Sequence, residues 1–345
     1  MAGPVHVLDN DYLAISLLVT VAYQCSALRL RGRSRSRYFF AFSSYYAHLL
    51  QFDKITDFTG GSNFFILSLL TLLLGQHFAA RNIVTSVFVM IWAARLAGFL
   101  LFRVLKTGSD TRFDDIRSHF FKFFGFWVGQ IIWVWVVSLP VIVLNSPKVS
   151  SGVAPAFGTA SDILGILIWS VGWLIESVAD LQKYRYKASG PPKEKLIDYG
   201  LWAWSRHPPY FGEILCWWGI WTLAVAPSVS GTVSPGARAA QLAALVSPLF
   251  TMVLLLFGSG VPTAEKPAAQ KYYKMSYPDD DSGTDNDFHE RQPQNAAWAN
   301  YQTYRAQTSI LVPMPPALYR VLPRWLKQTV FLDLPMYEWV PGKGQ

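Results

Sequence analysis

Residues 200–221 read GLWAWSRHPPYFGEILCWWGIW, and this stretch decides how the chain is understood. It joins a polar loop to an apolar helix. Ser205 or His207 can cap that helix, and Pro208 and Pro209 suit its first turn, where a missing N–H costs little. The helix runs apolar to about Ala226, roughly 18 residues or about 27 Å, which just crosses a bilayer core. Arg206 and His207 then stand at the membrane–water border, beside the positive end of the helix dipole, where a phosphate is favoured. Glu213 lies more than one turn inside, at helical spacing from Tyr210 and Trp217. A carboxylate at that depth is costly unless it is paired or functional.

Composition places this helix among others like it. Of 345 residues, 52% are hydrophobic and only 15% charged, and mean hydropathy is +0.23. Soluble domains carry about 25% charged residues. The apolar residues fall in long runs, so the fold class is all-α, a polytopic membrane protein. The net charge of +8 does not point to nucleic acid. Lys and Arg sit in short loops between apolar runs, as the positive-inside rule describes. Cys25 and Cys216 both lie in apolar segments, which argues against a disulfide framework. The histidines are scattered without metal-ligand spacing, so no metal site is expected. No phosphate-binding loop or strand-borne GxGxxG supports a soluble nucleotide-binding domain.

About seven transmembrane helices are predicted, near residues 12–28, 63–79, 83–102, 123–144, 163–181, 208–226 and 239–257. Five arginines within residues 29–37 hold the first loop in the cytoplasm, with the N-terminus on the far side and the C-terminus cytoplasmic. Residues 38–52 read as an interfacial or re-entrant helix. Asp53, Lys54 and Asp57, followed by Gly60 and Gly61, read as a polar break before the second span. Arg81 and Asn82 read as a tight turn. Arg95 lies inside the third span and needs a carboxylate, a cavity or a ligand phosphate. Trp169, Trp173, Glu176, Asp180 and Lys183 recur at helical steps and share one face. Three regions follow: residues 1–62; a transmembrane domain over 63–313, with an acidic loop at 277–295; and a tail over 314–345. An amphipathic stretch near 318–332 is expected on the membrane surface.

With these pieces in view, the chain resembles the DUF1295 branch of the steroid 5-alpha-reductase superfamily. The opening stretch is similar to that branch's C-terminal signature. Four other pieces match in the same order: WAARLAGFLLFRVLKTGSDTRFDDIR (92–117), ESVADLQKYRYK (176–187), SGVPTAEKP (259–267) and YQTYRAQTSILVP (301–313). The resemblance spans roughly residues 57–313. It implies an NADPH-dependent enzyme that reduces a lipid carbon–carbon double bond, with the endoplasmic reticulum as the expected membrane. It also implies cofactor-binding positions at Asp180, at Lys183 and Arg185 in the basic loop, at Arg206 and His207, and at Glu265, Tyr301 and Tyr304, with Arg95 added from its depth. Two positions depart from the family. Pro209 stands where an Asn is common, and proline has no amide to hold a nicotinamide. Trp92 stands three residues before Arg95, where the steroid reductases carry a tyrosine proton donor. A shorter motif of the same type also occurs in S-adenosylmethionine-dependent lipid and isoprenylcysteine methyltransferases.

Reducing an enone takes a hydride donor, a group that polarises the carbonyl and a proton source. Tyr210 and Glu213, one turn apart at the head of a span, are the catalytic candidates. Against this stands a structural pair of Glu213 with Arg95 or His207. Asp57 and Trp92 are candidates for the substrate end. The expected partners are the bilayer and a hydrophobic lipid substrate. Two alternatives remain: a methyltransferase using S-adenosylmethionine, and a non-catalytic scaffold, which Pro209 and Trp92 favour. The cations of residues 183–195 with Arg206 suit a pyrophosphate and a 2′-phosphate, and favour the reductase.

Overall fold

The computed structural model describes residues 9–32, 53–107, 120–278 and 292–341. Its long helices are α1 (Leu13–Gly32), α2 (Asp53–Gly75), α3 (Ala80–Thr107), α4 (Phe120–Leu144), α5 (Ala160–Ala188) and α6 (Pro208–Ala224). α7 (Pro235–Ala243), α8 (Val246–Val253), α9 (Val261–Ser276) and α10 (Ala297–Gln307) follow. Among the described residues there is no β-strand, only two isolated bridges. The all-helical reading therefore holds.

Four segments are long and apolar enough to cross a membrane: Ala80–Phe99, Phe124–Ser150, Ala160–Ala188 and Pro235–Ser276. The count of seven is not reproduced among the described residues. Leu13–Gln24 and Thr59–Gly75 are shorter apolar helices. α6 has 17 residues and stops at Ala224, two residues short of the expected end. A separate short helix, Ala226–Ser230, follows, with Pro227 in its first turn, where a missing N–H is tolerated. The helices at the first two expected spans have 20 and 23 residues, but only part of each is apolar. The proposed interfacial helix and residues 279–291 of the acidic loop lie outside the described residues.

The chain divides into two compact units, residues 1–169 with 217–250, and residues 170–216 with 251–345. In the first, the polar break before α2 does not exist. The helix starts at Asp53 and runs through both glycines. A Cβ on Gly61 would lie 3.2 Å from the Ala97 Cβ, and one on Gly60 would lie 2.9 Å from the Gln130 Oε1. These glycines permit close helix packing instead of breaking the helix. Arg81 and Asn82 form no turn either. They sit in the first turn of α3 and are buried. Arg81 grips Asp162 through Nε and Nη2 at 2.7 and 2.8 Å. Asp162 also accepts the N–H groups of Gly158 and Thr159, which caps the start of α5. Asn82 donates to Asn145, which donates in turn to Thr71 and Ser86. Further along the bundle, Trp92 is 1% exposed and packs edge-on against Phe64 and Trp217.

In the second unit the last part of α5 meets the first part of α6 through two glycines. A Cβ on Gly172 would lie 2.6 Å from the Gly212 carbonyl oxygen, and the reverse distance is also 2.6 Å. The same unit holds a π-helical turn at Leu254–Gly258, then α9, α10 and the C-terminal segment. The stretch near 318–332 was expected at the membrane surface. Trp325 is exposed, but Tyr319, Phe331 and Tyr337 are buried. The tail is part of this unit's core.

Candidate functional site

The site lies in the second unit and begins at Gly200. Its φ of +61° suits glycine, and a side chain there would collide with the Gln182 carboxamide. Gln182 Oε1 instead accepts the Leu201 N–H at 3.0 Å. A single helical turn, Leu201–Trp204, follows. The Trp202 indole donates to the Ala179 carbonyl at 3.0 Å, and the Tyr304 hydroxyl donates to the Trp202 carbonyl at 2.7 Å.

Ser205 is extended, and it and Arg206 are pinned to the chain near residue 310. The Arg206 N–H donates to the Ser309 carbonyl, and the Ser205 hydroxyl donates to the Leu311 carbonyl, both at 2.7 Å. The His207 N–H donates to Ser205 Oγ at 3.1 Å. The His207 carbonyl then accepts from Tyr210 and Phe211, which opens α6. Pro208 and Pro209 occupy its first turn, as their missing N–H groups allow. The register of Arg206 and His207 is therefore set by backbone bonds.

Arg206 is 4% exposed. Its Nη1 donates to Glu265 Oε2 at 2.6 Å and its Nη2 to Asp333 Oδ1 at 2.7 Å. His207 Nε2 lies 2.7 Å from the other Glu265 oxygen, and Arg305 Nε lies 3.8 Å from Oε2. The Tyr301 hydroxyl donates to the Glu265 backbone carbonyl, and Tyr319 donates to Asp333 Oδ2 at 2.8 Å. Arg206 Nε is buried and has no hydrogen-bond partner among the described residues. Burial by itself would lower the Arg206 pKa, but Glu265 and then Asp333 outweigh it and hold it above the usual arginine range. Burial is the main reason that the Tyr301, Tyr304 and Tyr319 hydroxyls also titrate above the ordinary tyrosine range. They stay neutral donors at physiological pH.

Five sequence candidates thus converge: Arg206, His207, Glu265, Tyr301 and Tyr304. Tyr210 joins them by stacking on His207, with centroids 5.2 Å apart and planes within 10°. Glu213 is half-buried one turn further into α6. The carboxylate bonded to His207 is Glu265. Asp180 is half-buried near the end of α5, while Lys183 and Arg185 are exposed there. Lys183 Nζ lies 4.8 Å above the Trp202 ring. Arg95 and Trp92 belong to α3 in the first unit. Asp57 is on α2, and its side chain lies outside the described residues. Asp333, Arg305 and Tyr319 complete the cluster and were missed. Arg305 directly follows Tyr304 in a stretch already singled out. Asp333 stands in FLDLPMYEW, where a carboxylate flanked on both sides by leucine was the available signal.

Together, the spanning helices and the buried ionic cluster define an all-helical integral membrane protein. The chain belongs to the DUF1295 family, described as a protein of unknown function, whose model matches residues 44–279. No curated protein and no solved structure matches it. The matched region contains Arg206, His207 and Glu265, while Tyr301, Tyr304, Arg305, Tyr319 and Asp333 lie beyond it.

Proposed function

We propose that the protein is a membrane-embedded, NADPH-dependent oxidoreductase of the steroid 5-alpha-reductase superfamily, reducing a carbon–carbon double bond of a steroid-like or other lipid. The observation that carries this reading is Arg206, buried with two carboxylates, a histidine and an orphaned Nε. Leaving a buried donor unpaired costs about 1–3 kcal/mol. A ligand oxygen on that donor removes the cost, and a phosphate fits its charge and geometry. Lys183, Arg185 and Lys187, all exposed at the end of α5, suit the remaining phosphates. NADPH, when bound, supplies the hydride.

In this reading Arg206 and the α5 cations hold phosphates, and Tyr210 and Glu213 polarise the carbonyl and deliver the proton. The indole at Trp92 is no acid, so either another residue is the donor or the substrate differs from that of the steroid reductases. Pro209 has no amide to offer a nicotinamide. Seven spans, a non-cytoplasmic N-terminus, a cytoplasmic C-terminus and residence in the endoplasmic reticulum belong to the same proposal.

The scaffold reading has one observation in its favour: Arg206 is already paired with two carboxylates. Titrating NADPH, NADH and S-adenosylmethionine into detergent-purified protein separates the classes. The reductase predicts NADPH binding that Arg206→Lys weakens by at least about 10-fold, since lysine cannot reproduce the guanidinium fork. Glu213→Gln keeps binding but loses turnover of an enone lipid. Binding of S-adenosylmethionine alone makes the protein a methyltransferase. If none of the three binds, the scaffold reading stands.

A further inference from the structure

The two carboxylates on Arg206 are not alike. The Glu265 side chain is 5% exposed, and its second oxygen is tied to His207. The Asp333 side chain is 20% exposed and comes from the C-terminal segment. That segment is built as a short strap between two buried anchors. Phe331 packs edge-on against Tyr319, and the Tyr337 hydroxyl donates to the Leu256 carbonyl at 2.8 Å. Between the anchors Leu332 has a φ of +58°, a region that costs a residue with a Cβ. The Leu334 N–H turns back onto the Leu332 carbonyl at 2.9 Å. The strap therefore brings Asp333 to Arg206 against a backbone penalty.

The contact so made is half of what the guanidinium offers. Nε and Nη2 form one edge of the fork, and a planar or tetrahedral oxyanion fills both at once. Asp333 places a single oxygen on Nη2, because Tyr319 holds the other. Nε is left over.

We propose that Asp333 is the resident anion of an exchangeable site, and that a phosphate or pyrophosphate group displaces it and takes both Nε and Nη2. Glu265 stays in place and keeps Arg206 aimed. The displaced strap carries Leu332 out of its left-handed turn. This assignment deepens, and rests on, the reading of the Arg206 cluster as the phosphate end of a nucleotide site.

The test uses the purified full chain with inorganic pyrophosphate, and NADPH in a parallel arm. Amide hydrogen exchange of residues 331–337 and calorimetric affinity are read together. Pyrophosphate is expected to speed exchange in the strap. Asp333→Asn is expected to bind it about 10-fold tighter, the scale of one lost charge-assisted competitor. Leu332→Gly, which relieves the turn without touching charge, is expected to bind it several-fold more weakly. Glu338→Gln, an exposed carboxylate 4.0 Å from Arg305, is expected to bind as the parent does. Should Asp333→Asn fail to fold, the opposite shift in Leu332→Gly still decides. Strap release by pyrophosphate without any NADPH binding supports the exchange and sinks the reductase. NADPH binding with the strap still protected, and affinities unmoved by both variants, overturns the exchange and leaves the reductase standing. No pyrophosphate binding to the parent or to Asp333→Asn also overturns it.

Discussion

Arg81 and Arg206 are both buried arginines, and they are used in opposite ways. Asp162 fills the Nε–Nη2 edge of Arg81 with both oxygens, and the carbonyls of Pro155 and Ala156 accept further bonds from the same guanidinium. Asp162 is at the same time the cap of α5. The main partner of Arg81 is therefore also part of a helix start. Arg206 instead draws its partners from α9 and the C-terminal segment, shares one of them with His207, and keeps Nε unpaired. A closed pair of this kind only holds the fold. An open one spends stability on a vacant bonding direction, which is how binding sites differ from staples.

The comparison breaks first, and most visibly, at Arg81. Arg81→Ala leaves the Asp162 carboxylate buried without its charge partner, at a cost of about 3–5 kcal/mol. The expected outcome is loss of the monodisperse folded peak in detergent, which no added anion restores. A variant that folds and melts like the parent would make Arg81 no staple at all. Arg206→Lys is expected to cost less, about 1.5–3 kcal/mol for lost charged hydrogen bonds, read as a lower melting temperature. Saturating pyrophosphate should raise the melting temperature of the parent but barely that of the variant. The smallest effects separate two glycines. Gly172→Ala forces a Cβ to within 2.6 Å of the Gly212 carbonyl and should cost about 1–3 kcal/mol. Gly98→Ala in α3 meets nothing within 4 Å and should stabilise by up to about 1 kcal/mol. Melting curves of the pair check the sign of each.

Much of the fold was legible because hydropathy and helix punctuation are local. The apolar run located α5 but not its limits, since the helix continues seven residues past the expected 181 into the basic YRYK stretch, while the start of α6 followed from SRHPPY. Errors arose where a residue has two physical uses. Gly60 and Gly61 were read as a break because glycine lacks helix propensity, but in an apolar bundle its missing side chain is a packing surface. Arg81 and Asn82 were read as a turn because they are polar, yet each is buried against a partner more than sixty positions away. The same limit governs the site. Arg206, His207 and Glu265 stand in dense, unusual stretches and could be singled out. Asp333 pairs with Arg206 across 127 positions, a distance over which no periodicity carries information. Gly165 and Gly172 on one helix, and Gly212 and Gly219 on the other, are each spaced by seven residues. That shared spacing was a readable sign that α5 and α6 pair closely.

The Gly172–Gly212 contact has a mechanical consequence. Most helix contacts run through side chains, which hop between rotamers and act as soft springs. Here peptide group meets peptide group, and no rotamer lies between them. The stem that carries Arg206 and His207 is thus clamped to its neighbour by the stiffest junction a protein can make. Changes in bilayer thickness or temperature that tilt these helices should carry both together, so the aim of the guanidinium is insulated from the elasticity of the membrane around it.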